Sequence, residues 1–212
     1  MAHTHFNEWP YMGKAGPVKT LFVDFHGTIC HDPFWRSLDR DGFGRVQQAV
    51  FEADPFLVND WMRGKYSSEE INKLVAERTG LPFDRLWQTF VRDCKSMRIA
   101  SDLLTLITAL RKAYSVILIT DNMDCFDRFT VPALRLDTVF SGIVNSASEG
   151  HLKTDGGGAN FMRNLTGDIS DAVLIDNSNS TCRAFEKLGG NARHVTYDMP
   201  AIKHLKDLAK AV

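Results

Sequence analysis

The 212-residue chain lacks the features that mark several classes of protein. It contains no apolar run near the roughly 18 residues that cross a bilayer. Residues 1–17 have no apolar segment typical of a signal peptide and are interpreted as an N-terminal extension. The net charge of -1 offers no basic field for nucleic acid. We therefore expect neither a membrane nor a nucleic acid as a partner; the sequence does not predict the oligomeric state.

Cysteine is also scarce. The four cysteines are far apart in the sequence and form no C-x-x-C pair, which argues against a structural disulfide or a zinc site. A reduced, cytoplasmic environment is the simplest interpretation. The hydrophobic content of 44% and the charged content of 24% are those of an ordinary globular protein with ample material for a core.

One short stretch near the start of the chain combines a strand with polar residues. The apolar run from Leu21 to Val23 predicts a strand, and Asp24 follows it directly. His26 lies two residues further on and shares a face with Asp24 along an extended chain, while Gly27 allows a sharp turn. In open α/β sheets ligands bind at the carboxyl ends of the strands, so Asp24 is a candidate functional residue.

The next part of the chain, to about Ser96, contains no convincing strand. Ser67 and Glu70 form a predicted capping box, and Gly80 follows the end of the helix that they begin. The predicted helices of this segment cover residues 45–52, 55–62, 67–78 and 83–94.

From Ser101 onwards, strands and helices alternate. Ser101 or Asp102 is predicted to cap a helix that reaches about Ala113. Predicted strands cover residues 115–119, 140–145, 172–175 and 194–197. One predicted helix begins near residue 125 and another ends at residue 164. Two more predicted helices cover residues 181–188 and 201–211. This alternation predicts an α/β fold, a doubly wound, Rossmann-like parallel sheet with helices on both faces. We expect a core domain of residues 18–30 and 99–212, with residues 31–98 inserted as a small all-helical cap.

Polar side chains follow the predicted strands at their carboxyl ends. They are Asp24 with His26, Thr120 with Asp121, Asp176 with Asn177, and Lys153 after the remaining strand. Two carboxylates, a hydroxyl and an ammonium in one crevice suit phosphoryl transfer, in which catalysis consists largely of positioning and charge stabilisation. A carboxylate can attack phosphorus, and Mg²⁺ prefers carboxylates, waters and phosphate oxygens as ligands.

In this order the motifs resemble those of the haloacid dehalogenase (HAD) superfamily with a helical cap. Its first motif usually reads Asp-x-Asp-Gly-Thr, and residues 24–28 here read Asp-Phe-His-Gly-Thr. Thr120 matches the second motif, Lys153 the third, and Asp176 the acidic fourth motif, in which Asn177 takes the place of a frequent second aspartate. The resemblance covers the chain from about residue 18 to its end.

The resemblance implies a role for each matched residue. Asp24 would be the nucleophile and a Mg²⁺ ligand, the main-chain carbonyl of His26 a second ligand, and Asp176 a third. Thr120 and Lys153 would hold the phosphoryl group of a small phosphorylated substrate.

Further residues are implied around that centre. Gly27, Thr28, Asp121 and Asn122 are candidates for substrate binding, and Asn177 is a candidate outer partner of the metal site. Asp121 and Asn177 could equally serve as helix caps.

His26 departs from the family pattern, since phosphatases of the family have aspartate there. Imidazole can serve as acid and base near neutral pH, so His26 could take over the proton transfers. Three hypotheses remain open: a phosphatase that uses His26, a hydrolase of C–halogen or C–P bonds, and a weak or inactive binding protein. Asp176 argues against a dehalogenase, because dehalogenases of this family lack that carboxylate and need no metal.

Three residues beyond the first motif are also candidates for substrate contact. They are His31, Trp35 and Arg36, for which packing or hinge roles are the preferred interpretation.

Overall fold

A computed structural model describes residues 19–54 and 56–211. Its centre is a parallel five-stranded sheet in the order β3-β2-β1-β4-β5. The strands are β1 (Lys19–Val23), β2 (Tyr114–Thr120), β3 (Gly142–Asn145), β4 (Val173–Asp176) and β5 (Asn191–His194). The order confirms the predicted parallel α/β sheet, with β1 in the middle.

Eleven α-helices are present in the described residues. Between β1 and β2 they are α1 (Arg40–Gln47), α2 (Leu57–Met62), α3 (Ser68–Thr79), α4 (Phe83–Lys95) and α5 (Ser101–Leu110). After β2 they are α6 (Val131–Leu134), α7 (Leu136–Val139), α8 (Ser146–Glu149), α9 (Ala159–Arg163), α10 (Asn179–Lys187) and α11 (Ala201–Lys210). Two π-helical turns, Gln48–Glu52 and Phe126–Thr130, extend α1 and precede α6.

Apolar side chains alternate between the two faces of the sheet, as expected for strands buried on both sides. Leu21 and Val23 of β1 belong to the larger core, whereas Phe22 belongs to the smaller core on the other face. On that second face Phe22 meets Phe161 of α9 and Phe185 of α10, with ring centroids 5.3 and 5.9 Å away.

The first four strands lie within two residues of their predicted bounds, but the last prediction is wrong. Residues 194–197 were expected to form it, whereas β5 is Asn191–His194 and Tyr197 is fully exposed. The register with β4, which pairs Val173 with Asn191, decides the position of this edge strand. Strand propensity is strongly context-dependent, and this short segment has no apolar run.

The helical segment between β1 and α5 forms as predicted, with shifted boundaries. The capping box of Ser67 and Glu70 is present, and Gly80 ends α3 with a φ of 68°. Helix α1 begins five residues earlier than predicted, at Arg40, because the Asp39 side chain accepts a hydrogen bond from the Gly42 amide. The prediction for 55–62 includes Pro55, which lies outside the described residues.

The prediction of a side-chain cap on α5 is wrong. Ala100 occupies the N-cap position of α5, and the Asp102 carboxylate instead accepts a hydrogen bond from the neighbouring Leu103 amide.

Apolar packing continues from the helical segment into the rest of the protein. Trp35, Trp61 and Phe90 form an aromatic cluster, and Trp87 of α4 meets Phe129 with a centroid separation of 5.9 Å. All of these helices share one buried cluster with β1. The division into a core of 18–30 and 99–212 and a cap of 31–98 stays a prediction.

None of the helices in residues 19–54 and 56–211 combines the length and the apolarity that a membrane crossing requires.

Candidate active site

The order of the strands places three polar residues side by side. Thr120 ends β2 and Asp176 ends β4, while Asp24 directly follows β1, which lies between those two strands. The Asp24 amide donates to the Ile175 carbonyl at 3.0 Å, so that pairing with β4 continues to Asp24. The carboxyl ends of parallel strands meet at one edge of a sheet, and these residues meet there.

Lys153 connects two of the strand ends. Its Nζ atom donates to Asp24 Oδ1 at 2.8 Å and to Asp176 Oδ2 at 2.6 Å. All three side chains are almost completely buried. A buried carboxylate pair sharing one ammonium forms an anion-rich centre, since buried charges require close partners.

The ionisation of this cluster reflects its burial. Burial lowers the pKa of Lys153, but Asp24, Asp176 and Asp121 outweigh that effect and raise it. Burial raises the pKa of Asp176, as does Asp24, and Lys153 opposes them. Lys153 is therefore cationic, and Asp176 ionises less readily than an ordinary aspartate. A further positive charge would relieve the cluster.

Thr28 orients the Asp24 carboxylate. Its hydroxyl donates to Asp24 Oδ2 at 2.8 Å and accepts from the Asn177 backbone amide at 3.1 Å. Gly27 makes this possible with a φ of +83°, and a Cβ atom there would collide with the Asn177 side chain. Thr28, predicted to bind substrate, thus contacts Asp24 and the end of β4.

Oxygen atoms that suit a hard cation converge beside Asp24. When the Asn177 side-chain amide is oriented with its nitrogen toward Asp24, that nitrogen donates to the His26 carbonyl and to Asp24 Oδ2, both at 3.3 Å. Both oxygens therefore lie next to the Asn177 side-chain nitrogen, while Asp24 and Asp176 share the Lys153 ammonium. Within the described residues no group of three or more His, Cys, Asp or Glu side chains is placed to hold a metal. Two carboxylates and a carbonyl fit the coordination habit of Mg²⁺, which keeps several waters.

Thr120 has the least satisfied side chain of the site. It is 1% exposed, and its hydroxyl oxygen has no hydrogen-bond partner among the described residues. A buried hydroxyl without a partner costs about 1–3 kcal/mol. It is available to a ligand at the edge of the sheet.

The residues after Thr120 hold neighbouring loops. Asp121 Oδ1 accepts from the Lys153 backbone amide at 2.8 Å, which positions the lysine. Burial raises the pKa of Asp121, and Lys153 opposes the shift. Asn122 is buried, its side-chain oxygen accepts from the Met123 amide, and its own backbone amide donates to the Ser146 hydroxyl. Asp121 also lines the cavity described next.

The His26 side chain takes no part in the hydrogen bonds of the buried cluster. Its exposed ring packs nearly parallel to Phe34 at a centroid distance of 6.0 Å, and in the described part of the chain it has no side-chain hydrogen bond. It lines a cavity of about 310 Å³ between the helical segment and the edge of the sheet. The surrounding protein lowers the pKa of His26 by partial desolvation, and the charge of Asp24 opposes this.

Two of the three other candidates for substrate contact, Trp35 and Arg36, make hydrogen bonds that hold the fold together. Trp35 is buried and its indole N–H donates to Asn72 Oδ1 at 3.1 Å. The Arg36 guanidinium donates to the Asp93 carbonyl at 2.8 Å and so anchors the segment after β1 to α4. His31 lines a separate surface depression.

Sequence analysis did not identify some residues near the site. Gln47 lines the same cavity as His26, and Arg63 forms a two-point ion pair with Asp155 close to Lys153. Neither has a motif or a strand-end position that could have revealed it.

Comparison with models of protein families gave no match, and comparison with curated protein sequences gave none. Solved structures, in contrast, are similar over most of the chain.

Three of these similar structures are enzymes. A HAD family enzyme of Bacteroides thetaiotaomicron, solved with magnesium and inorganic phosphate, has a TM-score of 0.66 at 15% identity, over 84% of this chain and 94% of that one. A predicted HAD-like family hydrolase of Porphyromonas gingivalis has a TM-score of 0.66 at 18% identity, over 90% and 98%. The 2-haloacid dehalogenase of Pseudomonas syringae has a TM-score of 0.62 at 14% identity, over 92% and 99%.

Likeness at such low identity concerns the fold, and the activity has to be argued from the site. The parallel sheet, its strand order and the length of the match agree with what the four motifs predicted. The chain has the fold of the haloacid dehalogenase superfamily.

Proposed function

We infer that this protein is a Mg²⁺-dependent phosphatase that acts on a small phosphorylated metabolite through Asp24. The observation that carries the proposal is the buried ammonium of Lys153 held between Asp24 and Asp176 at adjacent strand ends. The orphaned hydroxyl of Thr120 supports it, because a phosphoryl oxygen would supply the missing partner. The magnesium and phosphate bound to the enzyme of Bacteroides thetaiotaomicron also support it.

In the first step, an Asp24 oxygen attacks phosphorus and the bond to the leaving oxygen breaks. His26, at the edge of the cavity, gives its proton to that leaving oxygen, so the alcohol departs neutral. The product on the enzyme is a phosphoryl group on the Asp24 carboxylate.

In the second step, water attacks that phosphorus and the bond to Asp24 breaks. His26 takes a proton from the water, which restores both residues and releases inorganic phosphate.

Two side chains stabilise the charge of the transferring phosphoryl group, and a third positions Asp24. Lys153 and Thr120 donate hydrogen bonds to its oxygens, and Thr28 keeps Asp24 in position. Asp24, Asp176 and the carbonyl of His26 would hold Mg²⁺, which when bound offsets the negative charge on the phosphoryl oxygens.

A screen for phosphate release tests this function. Purified protein is incubated with a panel of phosphate monoesters, with and without Mg²⁺, and compared with Asp24→Asn. Asp41→Asn, which removes an exposed carboxylate on α1, is the matched control. We expect Mg²⁺-dependent release by the wild type and by Asp41→Asn only. Release from no ester, or equal release by Asp24→Asn, would defeat the proposal; halide release from haloacids would favour the dehalogenase hypothesis instead.

A further inference from the structure

The cavity beside His26 has a mainly apolar wall. It lies between the helical segment and the edge of the sheet that carries Asp121 and Asn122. Its apolar wall is formed by Phe34, Phe51, Val58, Met62 and Met123. If Asp24 receives a phosphoryl group, the rest of the substrate can occupy this cavity, which is lined by His26 two residues further along the chain.

The charges around the cavity limit what it can hold. Among the described residues that line it, none is a lysine or an arginine, and Asp121 is the one carboxylate. Arg63 follows a lining residue, Met62, but its guanidinium is already bound at two points by Asp155. A second phosphate or a carboxylate on the leaving group would therefore meet the Asp121 carboxylate there without a lysine or an arginine to offset the charge.

The small number of polar side chains further limits the leaving groups that the cavity can hold. A sugar buries several hydroxyl groups, each of which needs a hydrogen bond. The walls offer His26, Gln47, Asp121 and Asn122, and the Asn122 side-chain oxygen is already engaged by the Met123 amide. An apolar body with very few polar atoms fits such walls better than a sugar does.

Gln47 supplies one unused hydrogen-bond donor. Its Nε2 atom is buried and has no partner among the described residues. It ends α1, immediately before the π-helical turn Gln48–Glu52, from which Phe51 also reaches the cavity. Rotation about the last side-chain bond exchanges the two ends of the amide, so the nitrogen can turn into the cavity when an acceptor arrives there.

We propose that Gln47 determines substrate specificity by donating a hydrogen bond to a carbonyl or ether oxygen on an uncharged, apolar leaving group. The substrate class is then a phosphate monoester of a small aryl or alkyl alcohol that carries one such acceptor, in place of a sugar phosphate or a bisphosphate. This substrate class rests on the proposed phosphatase function, which sets the position of the phosphate. Recognition of the leaving group by the cavity can, however, be measured as binding, without turnover.

The test uses two alcohols of the same shape. In 3-hydroxyacetophenone a carbonyl oxygen stands where 3-isopropenylphenol has a methylene group. Their dissociation constants are measured by calorimetry with wild type, Gln47→Leu and Gln48→Leu. Gln48 is the matched control, because it neighbours Gln47 but is exposed and does not line the cavity.

We expect the wild type and Gln48→Leu to bind the ketone about tenfold more tightly than the alkene, in line with one hydrogen bond to a buried donor. Gln47→Leu should bind both alcohols equally. Equal binding of the two by the wild type, binding of neither, or a ketone preference that survives in Gln47→Leu would overturn the proposal. If Gln47→Leu does not fold, the difference between ketone and alkene binding by the wild type still tests the proposal.

Phosphate release from the corresponding aryl phosphates separates this inference from the proposed function. A ketone preference in binding without any release defeats the phosphatase and leaves the cavity assignment standing. Faster release from a sugar phosphate than from 3-acetylphenyl phosphate overturns the substrate class while leaving the phosphatase intact.

Discussion

At the scale of single residues, a substitution at Thr120 distinguishes an effect on function from an effect on stability. Its buried hydroxyl has no partner among the described residues, so Thr120→Val removes an unsatisfied group and keeps the shape of the side chain. We expect the free energy of unfolding to stay the same or rise by about 1 kcal/mol. If the hydroxyl holds a phosphoryl oxygen, kcat/KM should fall by about 10²-fold. Denaturant unfolding and steady-state kinetics provide the two readouts; a stability loss with unchanged kinetics would contradict the assignment.

His26 is the residue on which the type of reaction depends. Its ring lines the cavity, where the leaving group would lie if Asp24 receives the phosphoryl group. Loss of a general acid and base typically costs about 10²-fold or more in rate, and we expect that loss in His26→Ala.

The companion variant His26→Asp restores the usual residue of the family. A large gain in phosphatase rate in His26→Asp would show that the natural reaction is a different one. An unchanged rate in His26→Ala would remove His26 from the mechanism.

Sequence reasoning at this scale succeeded where a residue's place along a strand determines its place in space. Asp24, Thr120 and Asp176 follow buried strands, so a parallel sheet brings them to one edge. Thr28 was predicted to face the substrate, but its hydroxyl orients Asp24. Such a partner depends on the turn at Gly27 and on the approach of Asn177, neither of which is periodic in the sequence.

At the scale of elements, the helical segment is fastened to the loop that carries Lys153. Arg63, just after α2, donates to both oxygens of Asp155 at 2.8 and 2.9 Å. Next to it, Gly64 packs so closely on the Ala147 carbonyl that a Cβ atom would clash. Asp155 also accepts from the Leu152 amide at 2.9 Å. This pair therefore links the helical segment to the loop that carries Lys153.

Asp155→Asn should loosen that link. The pair is about a quarter exposed on each side, so we expect a loss of about 1 kcal/mol of unfolding free energy at pH 7. Hydrogen bonds from Arg63 lower the pKa of Asp155 from 3.8 to about 2. The stabilisation is thus complete above about pH 4 and is lost as the pH falls toward 2.

Denaturant unfolding of the wild type, of Asp155→Asn and of Asp41→Asn between pH 7 and pH 2 measures this effect. The gap between the wild type and Asp155→Asn should close on acidification. Asp41, in an exposed pair with Arg45, should show a smaller effect. A gap that persists at pH 2 would refute the role of the ion pair.

Element boundaries were the weaker part of the sequence-based prediction. Gly42 and Gly44 have low helix propensity and concealed the first turn of α1, and the position of β5 depended on its pairing with β4. In contrast, the capping box at Ser67 is a local signal, and it was found correctly.

At the scale of the whole molecule, the fold concentrates negative charge at the centre of its sheet. Mg²⁺ that binds the folded state alone raises its stability, by about 2.7 kcal/mol at one hundred times its dissociation constant. We expect Mg²⁺ to raise the Tm of the wild type and of Asp41→Asn, and to leave that of Asp176→Asn unchanged. Thermal unfolding with and without Mg²⁺ measures this; an equal rise in Asp176→Asn would place the ion elsewhere.

The architecture was predictable because alternating strands and helices allow few topologies. The parallel sheet and the helical segment after β1 follow from that pattern. The cavity was not predictable, because it depends on how α1, α2 and the edge of the sheet approach each other in three dimensions.

The central claim is that Asp24 becomes phosphorylated, and a rapid acid quench tests it most directly. The protein is mixed with Mg²⁺ and a phosphate monoester that it hydrolyses, quenched during turnover, and its peptides are analysed by mass spectrometry. The account predicts the mass of one phosphoryl group on Asp24, and no such label in Asp24→Asn. A label on another residue, or turnover by the wild type with no label at any quench time, would contradict it.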